Sequence, residues 1–371
     1  MKKETIPPAR REVSAITLRR AVFGLVFAGI LLFSLAAVVI VRDRVRDFQN
    51  AALENAVTIR TDAARLAFAR ALEQDWQHLQ KIADDLAELD LEELRAVLNA
   101  AASTDERISW AGFASPDGTV VAASGGLLQG ASVSERPWFR RGLQSPFAGD
   151  VHDALLLAEA VPEGPYGPAR FLDMAVPVAG DDGRVAGVLG FHINANWAEE
   201  FLTEFARTTE IVLVLVNPQE EVVISTNRDM PELPDLQSMR AAAAGIAVAE
   251  RETWPDGTTY FTTVLPSVGY GELPSFGWSL IGRSEIDKFS LTSGAELVRI
   301  AASGVLVAGG LHLLLTLVFV RIFLTPLSAL IETAGRMAAG HEEYPAEVRT
   351  PAEAQRLSAA LVRLGLEPRQ R

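Results

Sequence analysis

Residues 113–124 read FASPDGTVVAAS and residues 215–226 read LVNPQEEVVIST. Laid over each other at an offset of 102 residues, Pro116 falls on Pro218 and Val120-Val121 falls on Val222-Val223. In each stretch an apolar run enters a Pro-led turn and a second apolar run leaves it, the signature of a tight antiparallel hairpin. The segments downstream of the two hairpins correspond as well. FLDMAVPVAG (171–180) and RVAGVLGFHI (184–193) come after the first hairpin, and TTYFTTVLPSV (258–268) and GWSLIGRSEI (277–286) come after the second. Each copy reads as a hairpin, a helical or loop excursion, and a closing antiparallel pair. That pattern predicts an α+β fold in which a module of about 100 residues occurs twice.

Upstream of the repeat, residues 45–101 are rich in Ala, Leu, Glu and Arg and contain no Gly or Pro, which predicts one long helix. Residues 21–41 (AVFGLVFAGILLFSLAAVVIV) and 300–320 (IAASGVLVAGGLHLLLTLVFV) each run 21 residues without a charge. A helix of that length spans about 30 Å, the thickness of a bilayer core. The first run exceeds the apolar core of a cleaved signal peptide, so it reads as an uncleaved anchor. Composition agrees: 49% of the 371 residues are hydrophobic and 22% charged, yet mean hydropathy is +0.17, which points to lipid-facing segments. The chain has no cysteine, which excludes a disulfide framework, thiol catalysis and Cys-ligated zinc.

The first twenty residues carry Lys2, Lys3, Arg10, Arg11, Arg19 and Arg20 against Glu4 and Glu12, a basic flank that belongs in the cytoplasm. Two spans return the C-terminus to the same side. The expected organisation is a cytoplasmic tail (1–20), a membrane helix (21–41), an extracytoplasmic domain (42–299), a second membrane helix (300–320) and a cytoplasmic helical segment (321–366), in the inner (plasma) membrane. Within the domain the helix covers 45–101, a membrane-distal module about 105–195 and a membrane-proximal module about 208–290.

Residues 134–143 read SERPWFRRGL, three arginines around a Pro-Trp-Phe step in a chain of formal net charge −13. One reading is an ordinary helix start with Trp138 and Phe139 in a core. The other is a ligand clamp, with the Arg136 guanidinium as a planar fork of donors and the aromatics as a wall. Together with the anchored helix, the tandem PAS-like modules and GRVAGVLGFHI (183–193), this string resembles the double Cache family of bacterial extracytoplasmic sensors. The resemblance implies that the distal module holds a small molecule and that Arg136, Trp138 and Phe139 line its pocket. Amino-acid-binding members of the family carry a tyrosine and an aspartate on the loop after this helix and an aspartate on the late strand. Here the loop is AGDVHDALLLAEA (148–160), without tyrosine, and His192 stands at the late-strand position. The ligand so implied is an anion lacking an ammonium group, a carboxylate foremost, chelated by Arg136 and hydrogen-bonded by His192.

Each of these residues has a plainer alternative. Arg136 can brace loop carbonyls, His192 can be a satisfied core histidine, and Asp173, a further candidate in RFLDMAVPV, can pair with an arginine for structure alone. Arg140 and Arg141 read as a solvated face.

Residues 321–364, RIFLTPLSALIETAGRMAAGHEEYPAEVRTPAEAQRLSAALVRL, resemble the HAMP linker of bacterial receptors: a proline just after the membrane, an amphipathic helix, a Gly-ended connector, and a second helix introduced by an acidic residue. Pro326, Gly340 and Glu353 occupy those places, with Pro326 and Glu353 as the implied signal-relay positions. Leu327, Leu330, Ala334 and Met337, and likewise Ala354, Leu357, Leu361 and Leu364, repeat at spacings of 3 and 4. Two such a/d seams on helices too short to stand alone predict a homodimer in which four helices share a core.

There is no Walker loop, H-E-x-x-H, zinc-like histidine spacing or G-x-S-x-G. HEEYP (341–345) has too short a His-to-Pro spacing for a kinase phosphoacceptor box, and the seven residues after Leu364 leave no room in this sequence for a kinase or cyclase domain. The expectation is a non-enzymatic transmembrane sensor with a small-molecule ligand, lipid around its spans and an unassigned cytoplasmic output partner. No cofactor, metal or nucleic acid is expected. Two alternatives stand beside it. One is the input portion of a sensor histidine kinase or diguanylate cyclase whose catalytic domain lies elsewhere. The other is a membrane-tethered solute-binding protein, which needs no cytoplasmic relay.

Overall fold

Each Pro-led turn joins two short strands, β1 (Ile108–Ala114) to β2 (Val120–Ala123) and, 102 residues on in the repeat alignment, β6 (Val212–Val216) to β7 (Val222–Ser225). The computed structural model describes residues 18–104, 107–153, 157, 169–180, 182–227, 236–286, 293–348 and 351–366. The basic stretch expected in the cytoplasm lies, up to residue 17, outside the described residues, as does most of 154–168. By internal contacts the chain divides into two units, Asn50–Ser290 and Met1–Gln49 with Leu291–Arg371.

In the first of these units, β3 (Phe147–Asp153), β4 (Arg170–Ala179) and β5 (Val185–Asn194) complete a sheet of order β2-β1-β5-β4-β3. Strands β8 (Val248–Thr253), β9 (Thr259–Leu265) and β10 (Ser279–Glu285) complete a second, of order β7-β6-β10-β9-β8. The second order is the first shifted by five strands, and every pair is antiparallel. The fold is α+β, with two tandem PAS-like modules.

The two-residue period of a strand decides what each face does. Along β5, Leu189, Phe191 and Ile193 enter one large core, together with Leu172, Met174 and Val176 of β4 and Leu213, Leu215 and Leu280 of the second sheet. Helix α1 (Leu18–Asp85) covers that core with Phe68, Leu72, Trp76 and Leu79, buried in helical phase. Phe68 stacks on Trp278 at 6.5 Å and on Trp197 of α4 (Ala195–Thr209) at 6.0 Å. The opposite face of the first sheet packs against α3 (Pro137–Gly142) through Ala175, Val188, Trp138 and Phe139.

The helix expected over 45–101 is two helices. α1 ends at Asp85, a single 3-10 turn follows, and α2 runs Leu91–Thr104. Asp90 Oδ1 accepts from the amides of Glu92 and Glu93 at 2.8 and 2.9 Å, while Glu93 Oε2 accepts from the amide of Asp90 at 3.0 Å. This reciprocal capping box starts a new helix inside an otherwise helix-favouring run.

In the other unit, the N-terminal part of α1 and the run Arg299–Ala338 are each long and apolar enough to cross a membrane, and their apolar side chains are almost wholly unburied. A Cβ on Gly309 would stand 3.6 Å from Ile30, so the two runs approach where a side chain is missing. α6 (Ser293–Phe319) continues through a π-helical turn, Val320–Leu324, into α7 (Thr325–Ala338). Pro326 lies just beyond that turn. Its ring and missing N–H oppose a regular i→i−4 bond, and the helix widens there instead of breaking. α7 is followed by Gly340, whose φ of +95° suits a residue without Cβ. α8 (Ala352–Leu366) packs back on α7.

Candidate ligand-binding site

The face of the first sheet that α3 covers is incompletely filled, and a cavity of about 410 Å3 remains. Its floor is Phe171 and Asp173 of β4 with His192 of β5. One wall is Arg136, Pro137 and Trp138, and the other is Phe147 and residues 149–153 of β3.

The floor follows from register. Asp173 and His192 are cross-strand partners, as are Trp110 and His192. The His192 ring is stacked between Trp110 at 4.8 Å and Phe171 at 5.5 Å, with Trp138 edge-on at 5.8 Å. Trp138 reaches this position because β5 has glycine at 190: a Cβ there would come within 2.9 Å of the indole. A shift in register along β3, between Gly149 and His152, brings His152 over the same floor.

Asp173 joins the two histidines. Its Oδ1 lies 2.6 Å from His192 Nδ1, and its Oδ2 lies 2.9 Å from His152 Nε2. Asp173 is 3% exposed. Burial pushes it toward the neutral form, but the pull of His192 and the hydrogen bonds from His152 and His192 outweigh burial and hold it below the ordinary aspartate range. The bond to Asp173 lifts His152 above the ordinary imidazole value, against burial and the nearby charge of Arg136. His152 Nδ1 also lies 3.0 Å from the Asp153 carbonyl.

Arg136 stands at the N-cap of α3, and its side chain is not used in capping. Among the described residues its guanidinium has no hydrogen bond or ion pair, although it lines the cavity. Arg141, expected on a solvated face, also lines it and lies over the Phe147 ring at 5.4 Å. Arg140 is exposed.

Of the residues singled out from the sequence, Arg136, Trp138, Asp173 and His192 meet at one cavity. Phe139 does not. It is buried in the core behind Trp138, at right angles to it, and is absent from the lining. Asp173 pairs with two histidines and with no arginine among the described residues. Sequence reading missed His152, Asp150, Phe147 and Phe171. The string GDVHD offered two acids and a histidine, but only the bulge decides which of them face the floor.

No protein-family model matches the chain, and no curated protein matches it. Among solved structures it is similar to the ligand-binding domain of the Pseudomonas aeruginosa PAO1 amino acid chemoreceptor PctC in complex with GABA. That similarity has 14% identity and a TM-score of 0.47, covering 62% of this chain and 99% of that one. It is similar to the ligand-binding domain of the Pseudomonas fluorescens chemoreceptor CtaA in complex with L-leucine, with 14% identity, a TM-score of 0.46, and 67% and 99% covered. It is also similar to the ligand-binding domain of the Campylobacter jejuni chemoreceptor Tlp3 in complex with L-valine, with 12% identity, a TM-score of 0.42, and 67% and 98% covered.

Proposed function

We propose that this chain is a transmembrane sensor whose first module binds a small organic anion in the cavity under α3. The observation that carries the reading is the Arg136 guanidinium: it lines an aromatic-walled cavity and, among the described residues, has no partner. A guanidinium left without a counter-charge beside apolar walls favours a bound carboxylate that accepts two parallel N–H bonds. Trp138, Phe147 and Phe171 supply flat apolar contact, and His192, tied to Asp173 through Nδ1, keeps Nε2 as a donor.

The two apolar helical runs are read as membrane spans, with the basic N-terminus inside and the two modules outside. Binding shifts the population of module conformations, and the second span carries the shift through Pro326 into α7 and α8, which act as a HAMP-type relay in a dimer.

The experiment is a thermal-shift screen of the full-length chain in detergent micelles against small mono- and dicarboxylates, free amino acids and amines. A carboxylate is expected to raise the Tm of wild type, to have no effect on Arg136→Ala, and to act weakly on Arg136→Lys, whose ammonium cannot reproduce the fork. An equal shift in Arg136→Ala, or stabilisation by amines and amino acids alone, rejects the anion reading.

A further inference from the structure

His152 and His192 stand on the strands either side of β4, and Asp173 stands between them. One donor atom from each lies within 4.8 Å of the others. From this juxtaposition we propose that His152, Asp173 and His192 bind one divalent transition-metal ion of the Zn2+ class, with its remaining coordination positions open to the cavity.

The donor set sets the class. Two imidazole nitrogens and one carboxylate oxygen suit Zn2+ and its first-row neighbours, whereas Mg2+ and Ca2+ require oxygen ligands. The orientation of His152 is also that of a ligand. Its Nδ1 faces the Asp153 carbonyl, which only accepts, so Nδ1 carries a proton and Nε2 is the nitrogen left to bind. A backbone carbonyl behind one ring nitrogen, fixing the tautomer that presents the other, is the arrangement found behind metal-bound histidines. With Nε2 facing the Asp173 carboxylate as well, the ring needs a second proton, and a metal ion takes the place of that proton.

The geometry requires a local adjustment of the three donors. A tetrahedral ion with bonds of about 2.0–2.1 Å holds its ligand atoms about 3.4 Å apart. The separations from Asp173 are 2.6 Å at Oδ1 and 2.9 Å at Oδ2 and the three donor atoms lie within 4.8 Å of one another, so the distances to Asp173 open by less than an ångström and the widest separation closes by at most about 1.4 Å. Asp173 and His192 are fixed by sheet register and by the rings of Trp110, Trp138 and Phe171. His152, 44% exposed beyond the bulge, is free to adjust. A buried carboxylate with no arginine or lysine partner among the described residues is also where a cation is best accommodated.

The test uses the untagged full-length chain in detergent micelles, stripped with a chelator, with no organic acid present, so that its outcome is separate from that of the anion screen. Zn2+ uptake is measured by equilibrium dialysis and metal analysis, and Co2+ uptake by visible absorption. One equivalent of Zn2+ and the intense bands of tetrahedral Co2+ are expected, with affinity at least about tenfold weaker in His152→Ala, His192→Ala and Asp173→Asn and unchanged in His78→Ala. Circular dichroism checks each fold. His152→Ala, altered at an exposed side chain, carries the test if the buried variants unfold. Absence of Zn2+ uptake by wild type, uptake undiminished in His152→Ala, or displacement of Zn2+ by equimolar Mg2+ overturns the site.

Discussion

Asp150 Oδ1 accepts a hydrogen bond from Trp278 Nε1 at 2.8 Å, joining a strand that lines the cavity to a residue next to the last strand of the other module. Its Oδ2 accepts from Asn217 Nδ2 at 2.6 Å, and Asn217 heads the Pro-led turn of the second repeat, where its Oδ1 accepts from the amides of Gln219 and Glu221. Trp278 is fully buried and stacks on both Phe276 and Phe68 of α1. One carboxylate therefore ties the cavity wall to the second module and to the long helix.

Asp150→Ala is expected to destabilise the chain by about 1–3 kcal/mol, because it leaves the Trp278 N–H buried without an acceptor. Asp150→Asn offers one acceptor oxygen in place of two, so it keeps one bond and costs less. Denaturant melts give the size of the effect. Hydrogen exchange over 276–285 gives its location: faster exchange there than in β4 and β5 of Asp150→Ala supports the tie, and uniform acceleration rejects it.

Much of this frame is written in the sequence. The repeated hairpin and the alternation along β4 and β5 are legible because period and turn chemistry are local properties, whereas Arg136, Trp138 and His192 are singled out by resemblance, since alternation alone does not say which face of a strand is left open. Asp150 and His152 are a different matter. Which way a residue points after a bulge is settled by how β3 pairs with β4, a contact between segments about 20 residues apart. The break at Asp90 was legible, since D-L-E-E carries its own cap, but helix propensity summed over 45–101 hid it. Phe139 shows the limit of a motif: adjacent aromatics on a helix point different ways, and only Trp138 faces the glycine at 190.

That glycine supports a second prediction. Gly190→Ala places a methyl within 2.9 Å of the Trp138 ring and is expected to cost about 1–3 kcal/mol by overpacking. Trp138 moves into the cavity as a result. Gly269→Ala, with nothing within 4 Å of the added carbon, serves as the control and changes stability by no more than about 0.5 kcal/mol. Equal melting of the two variants would falsify the close packing of Trp138 on Gly190.

Gly282 marks a close approach of α1 to the second sheet. A Cβ there would collide with Thr61 Oγ1, which is held in place by its bond to the Val57 carbonyl at 2.7 Å. Gly282→Ala is expected to cost about 3 kcal/mol, and Thr61→Ala, which removes the obstructing hydroxyl, recovers part of that loss. A double-mutant cycle measures the coupling. Purely additive losses mean that the helix and the strand do not touch at this pair.

The last prediction concerns α7 and α8. Within one chain the pair buries Leu330 and Ala354, but Thr333 and Ser358 are buried with them, and Ser358 Oγ donates to the Ala346 carbonyl at 2.9 Å. The buried face is thus rotated from the expected seams, and Leu357 and Leu364 are left 37% and 66% exposed. Helices of 14 and 15 residues are marginal on their own in water. An apolar edge open to solvent on such a pair is removed if a second copy supplies two more helices to a shared core. The chain lacks native cysteine, so single cysteines report cleanly. Cysteine at Leu357 or Leu361 is expected to crosslink between chains in membranes, and cysteine at exposed Glu332 or Arg363 is expected to do so much less. Crosslinking that is equal at all four positions, or stronger at Glu332 and Arg363, rejects the four-helix core.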